Sequence, residues 1–372
     1  MAVSATIQRV NSKSPYKVIK TGSGLSSVTL KVWIYDGTQG AAVGSGIDGA
    51  ASSSNDRPSS PTYTLKSDAV GASSSRYVSF EVSNLLDGYI KQCFNGTHNS
   101  SREGAVMFMD YQVHSTFSSS PVISAMVQAV AYDGYTYFED GLNYQDNATG
   151  MFTCNTLLKK EDESVNVPIN TRRGNLVSFL KDGTTVSTSS ISTSNEADEQ
   201  ISYASSTLGG VFDFNQIRIQ NTDGDIRNIN VVSVCANKYP SYKVTFLNKY
   251  GALEDILFYG NSTESLSVQS NTFNVNTTNY LTGSYDTCEA QTHKQGVSSK
   301  KMMTLNSGFH PEDCNEAFKE LIQSTDVWID YNGQTLPIVV KSSSFNVKTE
   351  LNDNAINYTV NIEFAFNRIN NI

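Results

Sequence analysis

Charge is scarce in this 372-residue chain: Asp, Glu, Lys and Arg supply 17% of it, against about a quarter in an ordinary globular protein. Basic runs stop at the pairs Lys159-Lys160, Arg172-Arg173 and Lys300-Lys301, and the formal net charge is −9. A nucleic-acid binder carries a basic stripe, so no direct nucleic-acid partner is expected. The acidic excess favours solubility and names no partner. No apolar run approaches the ~18 residues of a membrane-spanning helix, and residues 1–20 lack the apolar segment of a secretory signal. Neither a membrane partner nor secretion is expected.

Histidine is down to four, His98, His114, His293 and His310, and none has another three or four positions away. The five cysteines, Cys93, Cys154, Cys235, Cys288 and Cys314, are odd in number and widely spaced, with no CxxC. That excludes a zinc knuckle and a dense disulfide framework. A reducing compartment of synthesis fits best, with one or two disulfides still open. The length is ample to bury real cores without such staples. No G-x-S-x-G elbow, Walker loop, HExxH or full EF-hand loop occurs.

What fills the chain is Ser, Thr and Asn, with 19 Tyr and 17 Phe. That mixture favours strands and turns over exposed helices. At roughly 150 residues per domain, two or three domains are expected. The first block, 1–150, holds Val28, Leu30, Val32 and Ile34 alternating with Thr29, Lys31, Trp33 and Tyr35, the period of a half-buried strand. A Gly/Ser/Ala tract near 40–60 has too little apolar content to pack and reads as a mobile loop. Val78, Phe80 and Val82 make another strand. Asn84 to Cys93 has helical spacing, weakened by Gly88. Residues 105–114 and 122–132 read as strands.

The middle block, 151–237, contains two hairpin patterns, one around Lys181-Asp182-Gly183 and one around Thr222-Asp223-Gly224-Asp225. The exposed acidic stretch Glu196–Glu199 separates them. The last block, 238–372, is the most regular. It has a strand–turn–strand over 242–259, a further strand at 301–305, and a helix near 311–323 with Pro311 as its first residue. Asn332-Gly333 then joins strands 327–331 and 335–340, the strongest short hairpin signal in the chain. Residues 345–349 and 356–366 form a last pair. The expected fold is mainly β: tandem β-sandwich or barrel-like domains with one or two short helices.

The search for chemistry returns little. His310 and Cys314 are spaced i, i+4, but two ligands are half a zinc site, and a helix-entry histidine with a core cysteine explains them. Asp223-Gly224-Asp225 offers carboxylates to calcium, yet a hairpin turn needs no ion. Ser298-x-x-Lys301 has a penicillin-binding spacing without its companion motifs. The aromatic run Tyr132 to Phe138 suits sugar stacking, but it reads first as strand and turn residues that pack or sit at a subunit contact. The Asn-x-Ser/Thr triplets at Asn95, Asn99, Asn147, Asn261, Asn276 and Asn357 follow from composition. No catalytic, cofactor-binding or metal-binding residue is assigned, no cofactor is expected, and the chain does not read as an enzyme.

Several segments resemble the tail and neck ring proteins of tailed phages, especially crAss-like and marine Bacteroidetes phages. They are Cys235 with Tyr242 to Asn248 and Tyr250 to Phe258, a strand, an "LN-x-x-G" turn and an aromatic strand. The C-terminal set is similar: Val327–Asp330, Pro337–Val340 and the closing Glu363-Phe364-Ala365-Phe366. Ser60 to Leu65 and Tyr137 to Gly141 fit as well. The resemblance implies a virion structural protein, made in the host cytoplasm and assembled in a cyclic ring with copies of itself and with other tail, neck or portal-proximal proteins. It carries over no catalytic residue. A receptor- or glycan-binding protein of the tail tip or baseplate is the alternative. Head-to-tail contacts close a ring, and residues 356–366, as an exposed last strand, are expected to lie in a sheet completed by, or packed against, a neighbouring subunit.

Overall fold

The computed structural model describes residues 8–37, 43–48, 56–86, 88–90, 93–98, 106–118, 120–141, 150–161, 163–170, 175–191, 201–206, 213–221, 224–235, 238–342 and 355–367. The chain divides into two compact units. One comprises Met1–Cys235, Thr245–Asp255 and Asp313–Ser324; the other comprises Ala236–Val244, Ile256–Glu312 and Thr325–Ile372.

The first unit is built from sheets in facing pairs. Leu25–Tyr35 lies between Val106–Phe117 and Tyr63–Asp68, and Ala129–Tyr132 continues the sheet beyond Val106–Phe117. Gln8–Asn11 closes that side by pairing parallel to Ala129–Tyr132. A smaller sheet of Lys17–Gly22, Ser75–Glu81 and Val70–Ala72 supplies Val18, Val78 and Phe80 to the core shared with Leu25, Leu30, Val32 and Leu86. Each fully buried side chain of that size contributes about 1.5–3 kcal/mol. The alternation expected for Val28 to Ile34 is therefore real. Its opposite face is not open, however: Trp33 and Tyr35 are also buried, among Phe108, Val130, Met151 and Ile201. Period two shows which residues share a face, not whether that face is covered.

A second pair of sheets follows. Thr156–Lys160, Ile226–Val234, Gln216–Gln220, Asn175–Lys181 and Thr184–Ile191 lie side by side in that order, and Asn166–Asn170 pairs with Ile201–Ser205. Val167, Ile169 and Ala204 meet Phe179, Ile217, Ile219 and Ile229 in their core. Both expected hairpins form. Asp182 and Gly183 have φ of 50° and 80°, the left-handed pair that a tight two-residue turn demands. Gln220 pairs with Ile226 across the other turn, where residues 222–223 lie outside the described residues, as do 196–199.

The second unit carries Val327–Tyr331, Gln334–Val340, Ala355–Phe364, Thr292–Pro311 and Thr263–Asn274 as successive neighbours. Asn332 and Gly333 adopt φ of 53° and 74°, so the strongest turn signal behaves as expected. Ala355–Phe364 is an interior strand, paired with Thr292–Pro311 on one side and Gln334–Val340 on the other. This corrects the expectation of an exposed last strand: both of its edges are filled within the chain. Its alternating apolar residues Ile356, Tyr358, Val360, Ile362 and Phe364 are buried within the same chain. The expected strand at 345–349 lies outside the described residues.

The α-helix Asn315–Gln323 is the single α-helix among the described residues. Pro311 does not begin it: that residue ends the strand Thr292–Pro311, and the turn Glu312–Cys314 intervenes. The fixed φ of proline suits an extended strand end as well as a helix start. The expected helix at 84–93 is reduced to the 3₁₀ turn Ser83–Leu86. Gly88 follows at φ 91°, a left-handed conformation that no helix continues through; residues 87, 91 and 92 lie outside the described residues. Much of the tract near 40–60 lies outside them too, but Arg57 is buried and paired with buried Asp110 at 3.1 Å.

Candidate functional site

Two features of the described residues invite a functional reading: a buried pair of glutamates in the first unit and a projecting hairpin in the second.

The glutamates sit where the sequence gives a weak signal. Glu254 shares a strand face with Ile256 and Phe258, and Glu320 borders the helical stripe of Cys314, Ala317, Phe318 and Leu321. Both are buried, with exposures of 2% and 0%. Thr153 joins them. Its backbone N–H donates to Glu254 Oε2 at 3.2 Å and its hydroxyl donates to Glu320 Oε2 at 2.8 Å. Lys249 N–H also donates to Glu320, at 3.0 Å, and its ammonium lies 3.8 Å from the other carboxylate oxygen. Burial and the Glu254 charge push Glu320 up to about 8 from 4.5. Burial likewise raises Glu254, opposed by the hydrogen bond from Asn248. Tyr135 and Tyr137 pack edge to face at 5.7 Å. Their phenols are raised by burial, then by Glu320 for Tyr135 and by its ring neighbour for Tyr137. Lys319 lies 3.9 Å from the centroid of the Tyr137 ring.

The "LN-x-x-G" turn is the anchor of this cluster. Asn248 Nδ2 donates to Met151 O at 2.7 Å and to Glu254 at 2.9 Å, while its Oδ1 accepts from Tyr250 N and Ala252 N. Gly251, at φ 79°, approaches the backbone of Asp133 so closely that a Cβ would lie 3.1 Å away. Cys154 and Cys314, 160 residues apart, form a disulfide beside Thr153. With Asp313 they are also a cluster of metal-ligand type, but sulfurs bonded to each other are not thiolate ligands.

Shifted carboxylates mark many catalytic sites. Here neither carboxylate presents a face to a substrate, and the cluster holds a turn, a helix and the segment 151–156 together. Its chemistry is proton retention in a low-dielectric interior.

The hairpin is the reverse case. Thr263–Asn274 and Thr292–Pro311 pair from Thr263↔Thr304 out to Asn274↔Thr292. Ala355–Phe364 pairs only with the inner part, starting at Met302. Beyond that point the hairpin runs on as a two-stranded arm, its base held by Lys300 on Glu363 and Lys301 on Glu264. Its tip is ordered locally: Val275 N–H donates to Gln291 O at 2.8 Å, Leu281 N–H to Asn279 Oδ1 at 3.0 Å, and Cys288 N–H to Asp286 Oδ1 at 3.1 Å. Polar side chains are spent on the backbone while Tyr280, Leu281 and Tyr285 stand 89%, 96% and 65% exposed. Leu266, Val268, Phe273 and Val275 add partly exposed apolar surface along the shaft. Surface of this kind marks a site of interaction. Sequence reading missed the arm because 263–274 is too rich in Ser and Asn to read as a buried strand.

The residues weighed from sequence are dispersed. His310 is buried in the second unit with Nε2 3.0 Å from Leu257 O, and burial lowers it to about 4. Cys314 is in the disulfide. Asp225 closes its turn with Asn221, accepting from Nδ2 at 2.9 Å, and Asp223 lies outside the described residues. Lys301 pairs with Glu264 at 2.8 Å. Tyr132 is buried and Tyr135 and Tyr137 are half-buried, so of that aromatic run Phe138 alone stands fully exposed.

No protein-family model matches the chain, and no curated protein matches it. Among solved structures it is matched to the periplasmic chaperone SfaE, at 12% identity over 61% of this chain and 97% of that one, with a TM-score of 0.17. A score that low carries no argument about fold or function.

Proposed function

We propose that this chain is a structural subunit of a phage tail or neck that forms a cyclic ring through subunit contacts, and that it is not an enzyme. The observation that carries this reading is the arm. A chain that places Tyr280, Leu281 and Tyr285 in solvent on a hydrogen-bonded tip is built to have them covered by another protein. The rigid β framework supports the reading, as does the resemblance of the 242–258 and 327–366 segments to tail and neck ring proteins. Its partners are copies of itself and other tail, neck or portal-proximal proteins. It is made in the host cytoplasm and ends in the virion. Quantitative mass spectrometry of gradient-purified particles tests this. A fixed, low copy number far below that of the capsid protein is expected, and absence from intact particles would remove the reading.

The exposed tip tyrosines also favour a second reading, a glycan-binding tail tip or baseplate protein, since aromatic faces stack on sugars. Specific retention of the purified protein on host polysaccharide would select it.

A further inference from the structure

We infer that Cys154, Cys314 and Asp313 form a metal site that takes zinc once the bond between the two cysteines is reduced. The disulfide and the metal are then alternative ways of tying the same two segments together, the start of the strand Thr156–Lys160 and the start of the helix Asn315–Gln323. This goes beyond the assembly reading and does not depend on it.

The donors are already gathered. Cys154 Sγ, Cys314 Sγ and a carboxylate oxygen of Asp313 all lie within 4.8 Å of one another. Two thiolates with a carboxylate suit zinc, and not magnesium or calcium, which take oxygen donors. The Cα atoms of the two cysteines are 4.9 Å apart, close enough for both side chains to reach one ion. The cysteines are buried and Asp313 is exposed, so an ion enters past the carboxylate. Three protein donors leave the fourth position of a tetrahedral ion to solvent on that side.

The second observation is what surrounds the donors. Thr156 touches all three. Its N–H donates to Cys154 Sγ at 3.4 Å and its hydroxyl donates to Asp313 Oδ2 at 2.9 Å. Its carbonyl oxygen lies 2.7 Å from Cys154 Sγ and 3.2 Å from Cys314 Sγ, placed to accept from either thiol in the reduced protein. A disulfide needs no oriented carboxylate beside it, whereas metal ligands are held in place by outer partners of this kind. The negative charge of the donors is offset as well. Cys314 is the N-cap of its helix, an end that favours anions, and Arg227 Nη2 donates to Cys154 O at 3.5 Å.

The exchange balances. A dithiol reductant supplies two electrons and two protons: the Cys154–Cys314 bond breaks, both sulfurs become thiols, and the reductant leaves as its own disulfide. When a zinc ion binds, the two thiol protons pass to solvent.

The test uses the full-length chain carrying Cys93→Ser, Cys235→Ser and Cys288→Ser, all at exposed positions, so that every remaining thiol belongs to the site. The protein is reduced with a phosphine, freed of the excess without oxygen, and titrated with cobalt(II) and then zinc. One cobalt ion per chain should bind with the absorption of thiolate ligation, and zinc should displace it and survive dialysis. The oxidised protein should bind neither. Asp313→Asn and Thr156→Val should each weaken cobalt binding about 10-fold or more. Both should still form the disulfide on oxidation, which verifies that they fold. Absence of thiolate absorption in the reduced protein, equal binding by the oxidised protein, or unchanged affinity in either variant overturns the inference.

Discussion

Glu320→Gln should stabilise this protein at neutral pH and flatten its pH dependence. The folded state holds the Glu320 proton up to about pH 8, whereas an ordinary glutamate releases it near 4.5. Below 4.5 the side chain is protonated in both folded and unfolded chains and costs nothing. Between 4.5 and 8 the unfolded chain has lost the proton and the folded chain has not. Stability therefore falls by about 1.4 kcal/mol per pH unit. The penalty reaches about 3 kcal/mol at pH 7 and about 5 kcal/mol above pH 8, both upper bounds because Glu254 shares the titration. Glutamine keeps an acceptor for Thr153 Oγ1 and Lys249 N–H, which now lie 2.8 and 3.0 Å from the carboxylate, and it never ionises. Urea unfolding at pH 5, 6, 7 and 8 measures the difference. The variant should gain 1–3 kcal/mol at pH 7, with the gain shrinking towards pH 5. A variant destabilised equally at every pH would refute the proton-retention account and leave Glu320 as an ion-pair partner of Lys249.

Two further outcomes follow from the first unit. Replacing Cys154 with Ser, or reducing the disulfide to Cys314, releases a closed loop of about 160 residues and should lower stability by up to about 5 kcal/mol. Matched urea titrations with and without reductant read this, and coincident curves would show that the bond contributes nothing. Asp110→Ala leaves the guanidinium of buried Arg57 without its carboxylate and removes the 2.6 Å bond from Tyr35 Oη. A loss of about 3–5 kcal/mol is expected, and Asp110→Ala combined with Arg57→Met should recover part of it. A double variant no better than the single would sink that account.

Much of the fold is legible in the sequence because strands and tight turns are local. Val28 to Ile34 and Ile356 to Phe364 alternate, and Asp182-Gly183 and Asn332-Gly333 supply the left-handed pairs that reverse the chain. Period two and turn chemistry decide these without reference to anything distant. The "LN-x-x-G" turn was visible as a pattern, though its reason was not: Asn248 binds Met151 O and Glu254 as well as its own loop. What covers each face is decided by tertiary structure alone. Alternation cannot say that Trp33 and Tyr35 face a second core, or that Ala355–Phe364 has a partner on both sides. Nor can spacing bring Glu254 to Glu320, or Cys154 to Cys314, since such meetings depend on how elements far apart in the chain are packed. The arm lies at the other limit. Its strands pair with each other, but nothing in 263–301 marks it as projecting until the neighbouring strand is seen to stop at Met302.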